Sequence, residues 1–372
     1  MVAERFISGK LKFQGNVAAV AIAVSFFVII VAVAVTSGFR HTIRQGVAAM
    51  TGDIRIAPLV SGSSEPVSMP RHIPGEDEIL ALPGVKEIVP AVVRAGIVKN
   101  GEIVHGVVVK GIQRADSSLS VSIPRRLSEI TGLGAGDPIT VYFVGEKIRV
   151  RKFTVSGIHR DVLELDDNLL VYANLEDMQR LNGWSSDQVS CLDILTGERN
   201  PEGLVPAIGN YAGDYYVSSS RKSYPQVFEW LNLLDFNVLI ILALMTVVAG
   251  FNMVSGLLIM LLRNISTIGT LKTLGMDNRA VGRLFVRIGA EAVLKGMLIG
   301  NVLALLFCLI QGTTHLIPLD PENYFVSWVP VHVNPLWVLA ADAVAFLGIL
   351  ALLWLPTRMV ARIDPAQTVK AD

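Results

Sequence analysis

Residues 13–39 read FQGNVAAVAIAVSFFVIIVAVAVTSGF, a run without Lys, Arg, Asp or Glu. An α-helix needs roughly 20 such residues to cross the hydrocarbon core of a bilayer. The run therefore reads as a membrane span. A second charge-free run lies between Phe236 and Leu262, and two more, at about 288–310 and 334–355, are as long but carry isolated charges. Residues 40–223, between the first two runs, have the look of a soluble domain. The expected fold is a membrane protein with four transmembrane α-helices in a 1+3 arrangement. A large α+β extracytoplasmic domain is inserted between helices 1 and 2.

The boundaries follow from these runs. Residues 1–12 precede the first span, 13–39. The α+β domain occupies 40–223. Residues 224–262 form a stalk and the second span, because no Gly or Pro interrupts the chain between Gln226 and Ala249. A loop at 263–287 leads to the third span, 288–312. A second loop, 313–333, leads to the fourth, 334–356, and 357–372 is a tail. Arg5, Lys10 and Lys12 could start a signal peptide, but the apolar run is too long for one and its exit is a poor cleavage site. A retained helix is expected.

Composition agrees. Hydrophobic residues make up 52% of the 372 and mean hydropathy is +0.52, so the chain is too apolar for an ordinary soluble protein. Net charge is zero, which gives no reason to expect a nucleic-acid partner. Charge placement sets orientation. Arg263, Lys272, Arg279, Arg283 and Arg287 crowd the 263–287 loop, whereas 313–333 has no Lys or Arg and holds Asp320 and Glu322. The positive-inside rule then puts both termini and the 263–287 loop in the cytoplasm, with the large domain on the other side.

Within that domain, short alternating runs fall between turn signals. Residues 52–56, 97–99, 103–109, 139–144, 147–155, 169–172 and 191–195 read as strands. Asn100-Gly101 marks a hairpin. Helices are expected at 124–131, 175–182 and 201–208, the second capped by Asn174 and ended by Gly183. The Ser-, Pro- and Gly-rich stretch 61–74 reads as a mobile loop. His41, His72, His105 and His159 lie far apart and no nucleophile motif, metal-ligand cluster or phosphate loop is present, so catalytic residues, metal and cofactors are all expected to be none. Cys191 and Cys308 fall in different layers and are expected to stay unpaired.

In the 263–287 loop, Ile265, Ile268, Leu271 and Leu274 recur every three residues, giving a short amphipathic helix that Gly275 is placed to end and that Asp277 follows as cap of the next. Such a helix could dock into a groove on a cytoplasmic partner or lie flat on anionic lipid. In the spans, Ala292, Gly296, Gly300 and Ala304 form a small-residue stripe suited to close helix packing. Asp342, about two turns into the fourth span, is an acid in an apolar setting. Glu291 and Lys295 stand one turn apart and can pair.

Leu271-Lys-Thr-Leu-Gly275, the basic helix after it and the small-residue span resemble the FtsX/MacB-type permeases of ABC transporters. Three further segments resemble most the lipoprotein-releasing LolC/LolE family: Val35-Thr-Ser-Gly-Phe-Arg40, Val248-Ala-Gly-Phe-Asn-Met-Val254 and Tyr324-Phe-Val-Ser-Trp-Val-Pro-Val331. Family members commonly carry an acid near the start of the loop, where this chain has Arg263, Asn264 and Thr267.

The resemblance implies a transport subunit in the bacterial inner membrane, driven by a separate cytoplasmic ATPase dimer. Ile265, Ile268, Leu271, Lys272, Leu274 and Gly275 would be the ATPase-coupling residues. A second permease subunit would complete a cavity for the acyl chains of a lipoprotein, with Phe27, Val31, Val35, Phe251, Met253 and Leu257 from spans one and two along its wall. On pattern alone these six are ordinary lipid-facing or packing residues. Gly145, Glu146, Lys147 and Ile148 correspond to the hairpin that hooks a periplasmic lipoprotein carrier, although it is short here. Two alternatives follow from the wider superfamily: a MacB-like efflux permease, or an FtsX-like transducer that controls a periplasmic hydrolase.

Overall fold

The computed structural model describes residues 16–59, 65–113, 118–145, 147–159, 169–197, 201–263 and 275–360. Its contacts divide into two units: Met1–Arg40, Leu231–Ile317 and Val329–Asp372 in one, His41–Trp230 and Pro318–Trp328 in the other.

Four long helices dominate the first unit: α1 (Asn16–Thr51), α2 (Pro225–Arg263), α3 (Asn278–Thr314) and α4 (Pro335–Val360), with the end of α1 after Arg40 and the start of α2 before Leu231 belonging to the second. Each is long and apolar enough to cross a membrane. Pro225 and Pro335 occupy first-turn positions, where a missing N–H is harmless. The Asn334 side chain accepts from Leu336 N at 3.0 Å and caps α4. Asp277 sits at the N-cap of α3, but it is its backbone carbonyl, not its carboxylate, that accepts from Ala280 and Val281. The bundle core gathers Phe26 and Ile30 of α1, Met253 and Leu257 of α2, Phe285 and Val293 of α3, and Ile349 and Leu353 of α4.

Glycines set the helix spacing. A Cβ at Gly300 would lie 2.5 Å from Ala23 O and 2.9 Å from Phe26 Cβ, and one at Gly296 would lie 2.5 Å from Ile22 Cγ2. The small-residue stripe of α3 therefore packs on α1 of the same chain, its backbone in contact with the neighbouring helix as membrane packing favours. Gly348 meets Thr246, which brings α4 against α2.

Both helices that flank the large domain run on past the apolar stretches. α1 continues to Thr51, so the helix runs through the division between the two units at Arg40/His41, where the expected domain start also falls. α2 is unbroken for 39 residues, roughly 58 Å.

In the second unit the strands are β1 (Ile54–Ala57), β2 (Met69–Pro70), β3 (Val85–Asn100), β4 (Ile103–Ile112), β5 (Ser120–Pro124), β6 (Pro138–Phe143), β7 (Arg149–His159), β8 (Leu169–Asn174), β9 (Gln188–Val189), β10 (Cys191–Thr196) and β11 (Tyr216–Ser219). The chain of pairings β3–β4–β8–β5–β7–β6 returns to β3 through Ile97↔Tyr142 and Val98↔Val141, closing a six-stranded barrel. Closure leaves these six strands no free edge. The first half of β3 leaves the barrel and pairs with β10, which continues to β1 and β11. Side chains from both parts share one core, among them Ile54, Ile56, Val98, Val109, Phe143, Phe153, Leu192 and Ile194.

Two local expectations are corrected. Asn100 pairs with Ile103, so the hairpin turn is Gly101-Glu102, and Gly101 alone takes a positive φ, +60°. Only glycine does so without cost, which pins the turn one residue further along. Met69-Pro70, inside the expected mobile loop, pairs with β9, and Met69 and Ile73 are buried; two apolar anchors hold this part of the segment down. The helix Leu175–Asn182 is capped by Asn174, whose side chain accepts from Glu176 N at 3.0 Å, and ends at Gly183 in the left-handed region.

Candidate functional site

Where α1 ends, its last carbonyls meet buried cations. Lys110 Nζ of β4 donates to Ala49 O at 2.9 Å and Met50 O at 3.2 Å, and lies 2.7 Å from Asp193 Oδ2. Arg55 of β1 grips the same carboxylate with Nε at 2.7 Å and Nη2 at 3.0 Å, and also donates to Met50 O. Beside them, Arg44 of α1 donates to Asp53 Oδ1, while Asp53 Oδ2 accepts from Thr196 N and Oγ1. Three cations thus face two carboxylates and the negative end of a helix dipole, so the buried charge is close to balanced. Burial raises the Asp193 pKa, but Arg55 and Lys110 more than offset this and the net shift is downward. Gly52 makes the turn from α1 into β1 at φ +67°, with Asp193 Cβ only 2.9 Å from where its own Cβ would be.

Sequence reading singled out none of these charges. The alternation in residues 52–56 puts Arg55 on an outer face, and that outer face turns out to be covered by the end of α1. The one available signal was a lysine inside the β-branched run Val107-Val-Val-Lys110.

The hairpin expected to meet a carrier lies between β6 and β7. Val144 and Ile148 are exposed, Ile148 to 71%. Its base is held by Arg94, a buried side chain that donates to Asn182 Oδ1 at 2.5 Å, Glu65 Oε1 at 3.1 Å and Val144 O at 3.5 Å. Gly145 rests on this group, since a Cβ there would lie 2.7 Å from Arg94 Nη2. Arg149 also donates to Leu181 O. The loop is thus pinned at its root and shows two apolar side chains, Val144 and Ile148, at its surface. Lys147 is exposed, and Glu146 lies outside the described residues.

In the bundle, two segments that carried the family resemblance touch. A Cβ at Gly38 would lie 2.7 Å from Val331 N and closer still to Pro330 O, and His332 N donates to Ala34 O at 3.1 Å. Arg40 pairs with Asp235, joining α1 to α2. The six expected cavity residues are dispersed. Met253 and Leu257 are buried in this chain's own bundle, Phe251 is 64% exposed, and Phe27, half-buried, meets Phe307 edge-to-face at 5.9 Å. Val31 and Val35 are half-buried on α1. α2 is the least covered helix, with 17% of its apolar window buried against 39% for α1, so its outer side is available to lipid or a second chain.

Of the expected coupling residues, Gly275 takes φ +91° in an exposed turn before α3. Ile265, Ile268, Leu271, Lys272 and Leu274 lie outside the described residues.

Comparison with known proteins gives this geometry a context. Residues 239–365 match the family described as FtsX-like permease C-terminal. The lipoprotein-releasing system transmembrane protein LolE of Haemophilus influenzae is 24% identical over 393 residues, covering 95% of this chain and 93% of its own. LolC of Xylella fastidiosa is 24% identical over 412 residues, covering 98% and 95%. The solved periplasmic region of MacB from Actinobacillus actinomycetemcomitans covers 50% of this chain and 95% of its own at 14% identity, with a TM-score of 0.32.

Proposed function

We propose that this chain is an FtsX-like permease and one subunit of an ABC transporter that extracts lipoproteins from the outer leaflet of the bacterial inner membrane and passes them to a periplasmic carrier. A separate cytoplasmic ATPase dimer drives it. The observation that carries this reading is the likeness to two lipoprotein-releasing proteins over 95–98% of the chain, not over the membrane part alone.

In this reading both termini are cytoplasmic. The 265–275 segment receives the ATPase, and Gly275 lets the chain turn from it into α3. A second permease chain, identical or homologous, covers the outer side of α2. Lipoprotein acyl chains enter between the paired subunits along α1 and α2, with Phe251 as the wall residue best exposed to them. Met253 and Leu257 then act through the packing behind that wall. ATP-driven closure presses on the acyl chains, and the unbroken helices carry the movement outward. The 144–148 loop, with Ile148 at its surface, offers the carrier an apolar contact.

The experiment is purification of the assembled complex from membranes, followed by lipid mass spectrometry. Bound triacylated peptide is the expected result. A stoichiometric peptidoglycan hydrolase without acylated peptide would replace this reading with an FtsX-like transducer, and small periplasmic molecules with a MacB-like efflux permease.

A further inference from the structure

Asp342, in the third turn of α4, accepts a hydrogen bond from Asn301 Nδ2 of α3 at 2.6 Å through Oδ2. Asp342 is 8% exposed. Two oxygens of this pair remain. Asp342 Oδ1 and Asn301 Oδ1 are both buried, and neither has a hydrogen-bond partner among the described residues. A carboxylate only accepts, and so does an amide oxygen, so the two cannot satisfy one another. A carboxylic acid can. Its O–H donates to the amide oxygen while its C=O accepts from the amide N–H. This holds for either orientation of the amide, which offers one donating and one accepting end whichever way it is turned.

Among the described residues the surroundings supply no counter-charge. The apolar runs of α1 and α2, 13–39 and 236–262, hold no charged residue, and α4 has no other acid or base from Pro335 to Trp354. On α3, Lys295 and Glu291 stand six and ten positions before Asn301, roughly 9 and 15 Å along the axis, and Glu291 meets Arg287. Cys308 and His315 lie two and four turns beyond Asn301 on α3, and His332 stands before α4. The Arg40–Asp235 pair belongs to α1 and α2. An unpaired carboxylate among apolar helices is expensive, and an acid with a complete set of hydrogen bonds is not.

We propose that Asp342 is a buried proton-binding site: it is held as a carboxylic acid, joined to Asn301 by a two-way hydrogen bond that fastens α4 to α3. Loss of the proton would set a carboxylate oxygen against an amide oxygen. The α3–α4 contact therefore loosens whenever movement admits water and the proton leaves. The inference is independent of the transported cargo.

Infrared difference spectroscopy of the full-length chain in its purified assembly, in H2O and D2O at neutral pH, tests it. The expected result is a protonated-carboxyl C=O band that shifts in D2O and is missing from Asp342→Asn, whose amide can still pair with Asn301. In Asn301→Leu the band should persist at higher frequency, because the carbonyl has lost its donor. If Asp342→Asn does not assemble, the wild-type minus Asn301→Leu spectrum decides alone. Absence of any such band in the wild type, or a band that Asn301→Leu leaves unmoved, would overturn the proposal. In the first case the group is ionised and its partner comes from elsewhere in the assembly.

Discussion

Lys110 Nζ reaches the carboxylate of Asp193 at 2.7 Å and the carbonyls of Ala49 and Met50 at 2.9 and 3.2 Å, so one buried ammonium fastens the end of α1 to the strand β10. Arg55 duplicates part of the grip. Such a cluster is valuable only when complete, because each member is expensive to bury alone.

Asp193→Asn should therefore destabilise the protein by about 3–5 kcal/mol, since it strands Lys110 and Arg55 without a counter-charge. Lys110→Met should cost less, about 1–3 kcal/mol, because Asp193 keeps Arg55 while two carbonyls lose a donor. Denaturant or thermal unfolding of the full-length chain in detergent gives both values. Asp193 also makes stability depend on pH. Its folded pKa lies below the usual carboxylate value, so its contribution is complete above about pH 4 and is lost as pH falls through the folded value. Asp193→Asn should lower the midpoint at pH 7 and flatten the fall below pH 4.

Two glycines of α3 should respond differently to the same substitution. Gly300→Ala pushes a methyl into the backbone of α1 at Ala23, and overpacking of that kind costs about 1–3 kcal/mol. Among the described residues, Gly312 has nothing within 4 Å of its Cβ position. Gly312→Ala should be neutral or stabilise by up to about 1 kcal/mol through helix propensity. Thermal midpoints of the two variants, measured side by side, check the prediction.

Cys191 should be inert in the folded protein. Burial pushes its thiol up to about 11, against the opposing pull of Arg55. At pH 7 only about one thiol in ten thousand is then ionised, and the thiolate is the reactive form. Maleimide labelling read by peptide mass spectrometry should leave Cys191 unmodified until denaturant is added. The raised folded value also means that this group favours the fold below about pH 8.5, its ordinary range, and that the contribution is lost as pH rises through about 11.

Ile148→Glu tests the carrier contact without touching the core. An exposed side chain at a pinned loop should change stability by less than about 0.5 kcal/mol. Release of lipoprotein to a carrier from reconstituted vesicles should fall about 30-fold if Ile148 is an anchor of that contact. Unchanged release with an unchanged melting curve would remove the loop from the proposed mechanism.

The four long helices were legible because apolar runs of about twenty residues, two without charge and two with isolated charges, admit few other readings. The true end of α1 was not. Residues 41–51 mix polar and apolar side chains, and the groups that stop the helix, Lys110 and Arg55, are supplied by strands that follow it. Barrel closure was equally hidden, since it rests on two residue pairs between strands some forty residues apart, Ile97↔Tyr142 and Val98↔Val141. The first half of β3, with Pro90 inside it, carries no clean alternation and was not read as a strand. Gly38, Gly296 and Gly300 were visible as small residues, but the backbone each one admits is a property of the folded bundle. Asn301 was unremarked because a polar amide in an apolar run becomes informative only when the acid beside it is known.

The pairing of β1 with β11 in the register Ile54↔Ser219 has an evolutionary consequence. The segment between α1 and α2 starts and finishes on adjacent strands, so its two junctions with the host helices are close neighbours. A cassette of that form can be exchanged between related chains by recombination at two places. A chimera that swaps residues 54–219 for the corresponding part of a relative keeps the same attachment points, and is the natural way to separate the contribution of this module from that of the helices.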